Sequence, residues 1–200
     1  MHRRHSLFLS PLRYWFIQHP AKQWWDFALP GAGTMCLTGA LLFWPAVPSA
    51  YSAGGFLSSL QSLFAILGGF FVSALTLIST SSSTALSQPL AGTPPVRLKG
   101  EALPLTRQRF LALLFGYLAF SAFALYALGF MAIFLAPGMK TMIAPAMYKW
   151  VSALFLLGYN FWLSHLFVST MIGLYYFTDR LQRPDPEIQR KVVDPQVVDR

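Results

Sequence analysis

The chain has 200 residues, 55% of them hydrophobic and only 11% charged, with a net charge of +8. A soluble domain carries roughly 25% charged residues, so this balance, with a mean hydropathy of +0.49, excludes an ordinary soluble protein and points to one built for a lipid bilayer. The single cysteine, Cys36, excludes an intrachain disulfide and cysteine-based metal or redox chemistry.

Residues 1–26 interleave Arg3, Arg4, Arg13 and Lys22 with Phe8, Tyr14, Trp15, Phe16, Trp24 and Trp25. A signal peptide needs roughly 7–15 uninterrupted apolar residues after its basic start, and Pro11, Arg13, Gln18, His19 and Pro20 break any such core. The segment reads instead as a cytoplasmic interfacial arm, its aromatics among lipid headgroups and its cations toward water. His2, His5 and His19 fall at no metal-ligand spacing and read as solvated.

Residues 27–178 read as an all-α, polytopic transmembrane domain of four helices, at about 27–47, 55–80, 110–136 and 150–178. Each is long enough for the roughly 20 residues that cross a bilayer. In the first, Ala32, Cys36 and Ala40 recur every fourth residue, a small-residue surface on which another helix packs closely. Asp26 stands at its head, where an acid suits the helix dipole, and Trp44 and Pro45 mark its far end. In the second, Ser58, Ser62, Ala65, Gly69, Ser73, Thr76 and Thr80 make one small or hydroxylated stripe. Ser62, Gly69, Ser73 and Thr76 are therefore candidates either for a helix–helix seam, with hydroxyls bonded to backbone carbonyls, or for a pore- or substrate-lining face.

The connector, residues 81–109, contains Pro89, Pro94, Pro95 and Pro104, which forbid a continuous helix. Arg97, Lys99, Arg107 and Arg109 stand in it against Glu101 alone. It has the outline of a short hairpin turning near Lys99–Gly100–Glu101, and Thr106 is placed to cap the next helix. The third helix ends at a Pro137–Gly138 stop signal. The fourth holds the strongly polar side chains Asn160 and His165. Such residues inside a membrane either hydrogen-bond between helices or serve gating and sensing, and His165 has no acidic partner within the apolar runs. The tail, residues 179–200, mixes charge with three prolines and cannot make a core alone.

Basic residues set the orientation. Arm, connector and tail share one side of a four-span chain and carry thirteen Lys and Arg; the other side carries Lys140 and Lys149. The positive-inside rule puts both termini in the cytoplasm. Arg97, Lys99, Arg107 and Arg109, with Arg180, Arg183, Arg190 and Lys191 of the tail, are then candidates for contact with anionic headgroups or with a partner. Direct nucleic-acid binding is not expected of such loops.

The sequence contains no H-E-x-x-H, no G-x-S-x-G, no phosphate-binding glycine loop and no paired acids, so no catalytic residue, cofactor or metal is assigned. The reading is a non-enzymatic sensor or scaffold subunit that forms a homo-oligomer and recruits a soluble cytoplasmic protein. The alternative is a small channel or transport component using the stripe of the second helix and His165. Size, four spans, cytoplasmic termini and a basic cytoplasmic face resemble the KwaA family, membrane subunits of the Kiwa anti-phage defence system. The resemblance implies a bacterial inner-membrane protein that oligomerises, senses membrane disturbance and holds a soluble DNA-binding partner. It rests on architecture and transfers no individual residue.

Overall fold

The computed structural model describes residues 7–18, 24–43, 50–90, 96–98, 100 and 103–180. His2, His5, His19, Arg3, Arg4, Lys22, the Trp44–Pro45 stop, Lys99, Glu101, Arg183, Arg190 and Lys191 lie outside the described residues.

Four helices are long and apolar enough to cross a membrane: Trp24–Phe43, Phe56–Thr80, Arg107–Met142 and Pro145–Thr178. The first begins as a wide turn at Trp24–Ala28 and continues as α1 (Leu29–Phe43), with Pro30 tolerated in the opening turn. α2 is Phe56–Thr80, followed by one short helical turn, α3 (Thr84–Ser87). α4 is Arg107–Met142 and α5 is Pro145–Tyr175, extended by a wide turn to Arg180. By backbone contact the spans lie in the order α1, α5, α4, α2. The two ends are distinct: α2 and α4 join through the connector at one, the arm end, while the α1–α2 and α4–α5 turns form the other, the turn end.

Two expected boundaries move. Pro137–Gly138 does not close the third span; α4 runs through it to Met142. A proline forfeits one i→i−4 bond and crowds the preceding turn, but here it sits on an exposed face little more than a turn from the helix end. Thr141 donates back to the Gly138 carbonyl at 2.8 Å. The fourth span starts at Pro145 rather than Trp150, because proline is pre-set for the first helical position. At the other end Thr106 caps α4, accepting from the Arg109 N–H at 3.3 Å.

The α2–α4 pair is the most extensive contact. Its seam on α2 is Leu57, Phe64, Phe71 and Ile78, all 0–2% exposed. These fall seven residues apart, the repeat of a left-handed supercoil. Gly68 sits among them, where a Cβ would come within 3.3 Å of the Phe123 ring. Gln108 staples the pair at the arm end by donating to the carbonyls of Ile78 and Ser81 at 2.9 and 3.1 Å, which satisfies acceptors left over at the C-terminus of α2.

α1 packs on α5 with a face other than the expected one. Pro30, Thr34 and Thr38 are buried, whereas Ala32 and Cys36 are exposed. The seam is thus offset by two residues, about 200° around the helix. The threonines serve because their hydroxyls find acceptors and donors: Thr34 donates to the Pro30 carbonyl at 2.7 Å, and Asn160 donates to Thr38 at 3.0 Å. Gly33 lets Ser164 approach to where a Cβ would stand 2.9 Å from its hydroxyl.

The arm is folded onto the bundle. Leu7–Phe16 forms a 3₁₀ helix and Ile17–Gln18 a short strand, β1. Tyr14 and Ile17 are buried in the same core as α2 and α4, while Trp15, Phe16, Trp24 and Trp25 remain exposed. β1 pairs antiparallel with β2 (Arg97–Leu98) of the connector, Ile17 against Leu98 and Gln18 against Arg97. Arg97 also bridges Pro104, and Gly100 takes φ +91° in the turn between them, a conformation open to glycine. Further main-chain bonds run from Leu90 to Leu105 and from Leu105 to Val96. Arm and connector thereby make one cover over the arm end, with Leu90, Val96, Leu98 and Leu105 turned inward.

Candidate functional site: a buried histidine under the arm

His165 lies on α5 and is 1% exposed. Four side chains from four elements converge on it, and a fifth, Tyr14, backs them. Asp26, in the turn that opens the first span, faces Nε2 with Oδ1 at 3.7 Å. Tyr117 of α4 places its hydroxyl 2.9 Å from Nδ1, and Ser169, one turn along α5, stands 3.3 Å from the same nitrogen. Trp15 of the arm lies flat on the imidazole, ring centroids 5.1 Å apart and planes 19° from parallel. Its neighbour Tyr14 stacks on Tyr117 at the same separation and tilt and hydrogen-bonds Ser169.

Local sequence explains the convergence. α4 starts at Arg107, so Tyr117 lies about 15 Å along it at 1.5 Å per residue. The first span is only 20 residues long, whereas α4 has 36 and α5 has 31. The long helices run on past the start of the short one, and there Tyr14 and Trp15 of the arm pack against Tyr117 and His165. Asp26 is 4% exposed at a helix N-terminus, where the dipole favours an anion.

The hydroxyls of Tyr117 and Ser169 can each donate to or accept from Nδ1, whereas an ionised Asp26 only accepts, so the tautomer that suits all three partners carries its proton on Nε2. At 3.7 Å the contact of Nε2 with Asp26 is longer than a hydrogen bond, which requires about 3.2 Å or less. An approach of about half an ångström would make it a charge-assisted bond. Ser169, His165 and Asp26 are the residue types of a hydrolytic triad, but the ring nitrogens are exchanged, with the serine at Nδ1 and the acid at Nε2, and Ser169 is 1% exposed in mid-helix. No open side remains for an acyl group.

Tyr14 is the ionisable group of the arm. Burial, and then the charge of Asp26, push its phenol well above the ordinary tyrosine value, against the opposing effect of the Ser169 hydrogen bond. It remains a neutral donor throughout the physiological range.

The expected site residues are dispersed. Ser62, Gly69, Ser73 and Thr76 are exposed on α2, facing away from the α4 seam. Ser73 and Thr76 donate to their own helix, to the carbonyls of Gly69 and Val72. Asn160 is fully buried and joins α5 to α1 through Thr38, leaving its Oδ1 without a hydrogen bond. Arg97 and Arg109 are exposed and Arg107 is half-buried, all at the arm end; Arg180 closes the last turn of the fourth span. Asp26, Tyr117, Trp15, Tyr14 and Ser169 were not anticipated as one site. The available signal was Asp26 itself, the single acid at the head of an apolar run, together with a histidine in another. No group of three or more His, Cys, Asp or Glu able to hold a metal occurs among the described residues.

A scan against protein-family models and comparisons with curated proteins and solved structures give no match.

Proposed function

We propose that the protein is a non-enzymatic membrane sensor and scaffold, whose cytoplasmic cover is coupled to the packing of its spans through the His165 cluster. The observation that carries this reading is the stack of Trp15 on His165. The arm is held by the one buried His–Asp pair among the described spans, and it is laced to the basic connector by the Ile17–Leu98 pairing. A displacement of α5 against the first span acts directly on the seat of Trp15. Release or tightening of the arm then alters the surface carrying Arg97, Arg107 and Arg109. Recruitment of a soluble protein to that surface, assembly into a homo-oligomer, cytoplasmic termini and a role in anti-phage defence belong to the same proposal; the last comes from the KwaA-like architecture.

The channel alternative draws less support. Its two elements lie apart, the hydroxyl stripe on the outside of α2 and His165 buried against α4 and the first span.

The test is purification of the tagged, full-length protein in mild detergent, with mass measured by light scattering. The expected result is a homo-oligomer carrying a stoichiometric soluble protein. That protein should be lost when residues 179–200 are removed or when Arg97, Lys99, Arg107 and Arg109 are replaced by Gln. A monomer without a stoichiometric partner, combined with ion flux in liposomes, overturns the proposal in favour of conduction.

A further inference from the structure

At the turn end, opposite the His165 cluster, α1, α4 and α5 diverge around an open cleft of about 410 Å³. That is in the lower part of the roughly 300–1,000 Å³ range of small-molecule sites. Its walls are of two kinds. One is polar: Ser152 of α5 donates to the Tyr51 hydroxyl at 2.9 Å, and Tyr148 and Lys140 line the cleft beside them. The other is apolar, formed by Leu41 and Leu42 of α1 and Leu156 of α5. Phe43, the next residue of α1, is 84% exposed.

The charge balance at this end is one-sided. No Asp or Glu occurs between Asp26 and Glu101 or between Glu101 and Asp179. Lys140 therefore has no carboxylate at the turn end to pair with. The first turn of α5, which has no side-chain cap, adds the positive end of its dipole beside the cleft. A cation, a hydroxyl pair and an uncapped helix start next to an apolar track at the end of a membrane span match an amphipathic anion. We propose that this cleft binds one anionic phospholipid, its phosphate held by Lys140 and the Tyr51–Ser152 pair and one acyl chain laid along Leu41, Leu42 and Leu156. A free phosphate would leave the apolar wall unused. An ethanolamine or choline headgroup would bring a second cation to an end that has no acid to receive it. The site is independent of the sensor reading, since it shares no residue with the His165 cluster.

Native mass spectrometry of the full-length protein in a neutral detergent tests this. Phosphatidylglycerol and phosphatidylcholine are added in equal amounts, with inorganic phosphate as a separate arm. The expected result is one retained lipid, with phosphatidylglycerol favoured by at least about fivefold, the worth of one modest ionic contact. K140Q should abolish that preference and K140R should keep it. K149Q removes the other turn-end cation, which does not line the cleft, and should leave it unchanged. Equal retention of the two lipids, unaltered preference in K140Q, or displacement of phosphatidylglycerol by millimolar phosphate would each overturn the proposal. Should K140Q fail to fold, the wild-type lipid comparison and the phosphate arm still decide.

Discussion

Replacing Trp15 with alanine should undock the arm while leaving the four spans assembled. Trp15 makes three aromatic contacts: the stack on His165, and edge contacts with Tyr117 and Phe27 at 6.4 and 6.2 Å. Such contacts contribute about 0.5–1.5 kcal/mol each. Trp15 remains 42% exposed, so the lower half of the summed range applies, roughly 2 kcal/mol. That corresponds to about a thirtyfold rise in the open fraction of the arm, since 1.4 kcal/mol is a factor of ten. Hydrogen exchange in nanodiscs reads it directly. The amides of the Ile17–Leu98 pairing should lose protection by about that factor, while those of α4 and α5 keep theirs. W24A, which removes a tryptophan that is 66% exposed, serves as control and should change neither. Unchanged exchange at Ile17 and Leu98 in W15A would mean that the strand pairing alone holds the arm. The coupling between His165 and the cover formed by arm and connector would then fail.

Arm docking should also respond to alkali with a defined sign. The Tyr14 phenol is raised in the folded state, so its contribution is complete below the unfolded value of about 10 and is lost as pH rises beyond it. Protection of residues 14–17 should be flat from pH 6 to 9 and fall above about 10, whereas Y14F should abolish that alkaline loss. Gly129 is a second sensitive point, because a Cβ there would stand 2.5 Å from the Gln61 amide and 2.9 Å from the Tyr159 hydroxyl. G129A should destabilise the bundle in detergent unfolding by roughly 1–3 kcal/mol, and G116A, whose Cβ meets nothing within 4 Å, should not. A double-mutant cycle with N160A and T38A should return a coupling of about 0.6 kcal/mol, and no more than about 1.7; zero coupling would remove that bond from the α1–α5 seam.

The four spans were readable because length and hydropathy are written in the sequence, and their number is set by four long apolar runs. Which face of each span is buried was not. The most regular small-residue patterns, Ser62–Gly69–Ser73–Thr76 on α2 and Ala32–Cys36–Ala40 on α1, point away from the intrachain seams or only partly into them. The α2 seam is made of large residues at 57, 64, 71 and 78. In a soluble helix the polar face betrays the buried one. In lipid both faces are apolar, and the contrast disappears. The His165 cluster escaped for another reason. Asp26 and Trp15 were read as interfacial because they precede the first apolar run, but the shortness of that run draws them down beside longer neighbours. Depth in the bundle is a property of four helices together, and no single segment records it.

The order α1, α5, α4, α2 has a consequence for biosynthesis. α2 and α4 are joined by a connector that their own seam and Gln108 close, so they can settle as a hairpin once α4 emerges. The first span cannot. Its partner is the last helix made, and the bond between Asn160 and Thr38 joins positions 122 residues apart. Until α5 is inserted, Thr34, Thr38 and Asp26 wait with no helix to pack on. The buried acid therefore meets its histidine only when the chain is nearly finished. Ribosomes stalled before residue 165 would leave a two-helix hairpin beside a loose first span, the form most exposed to membrane quality control.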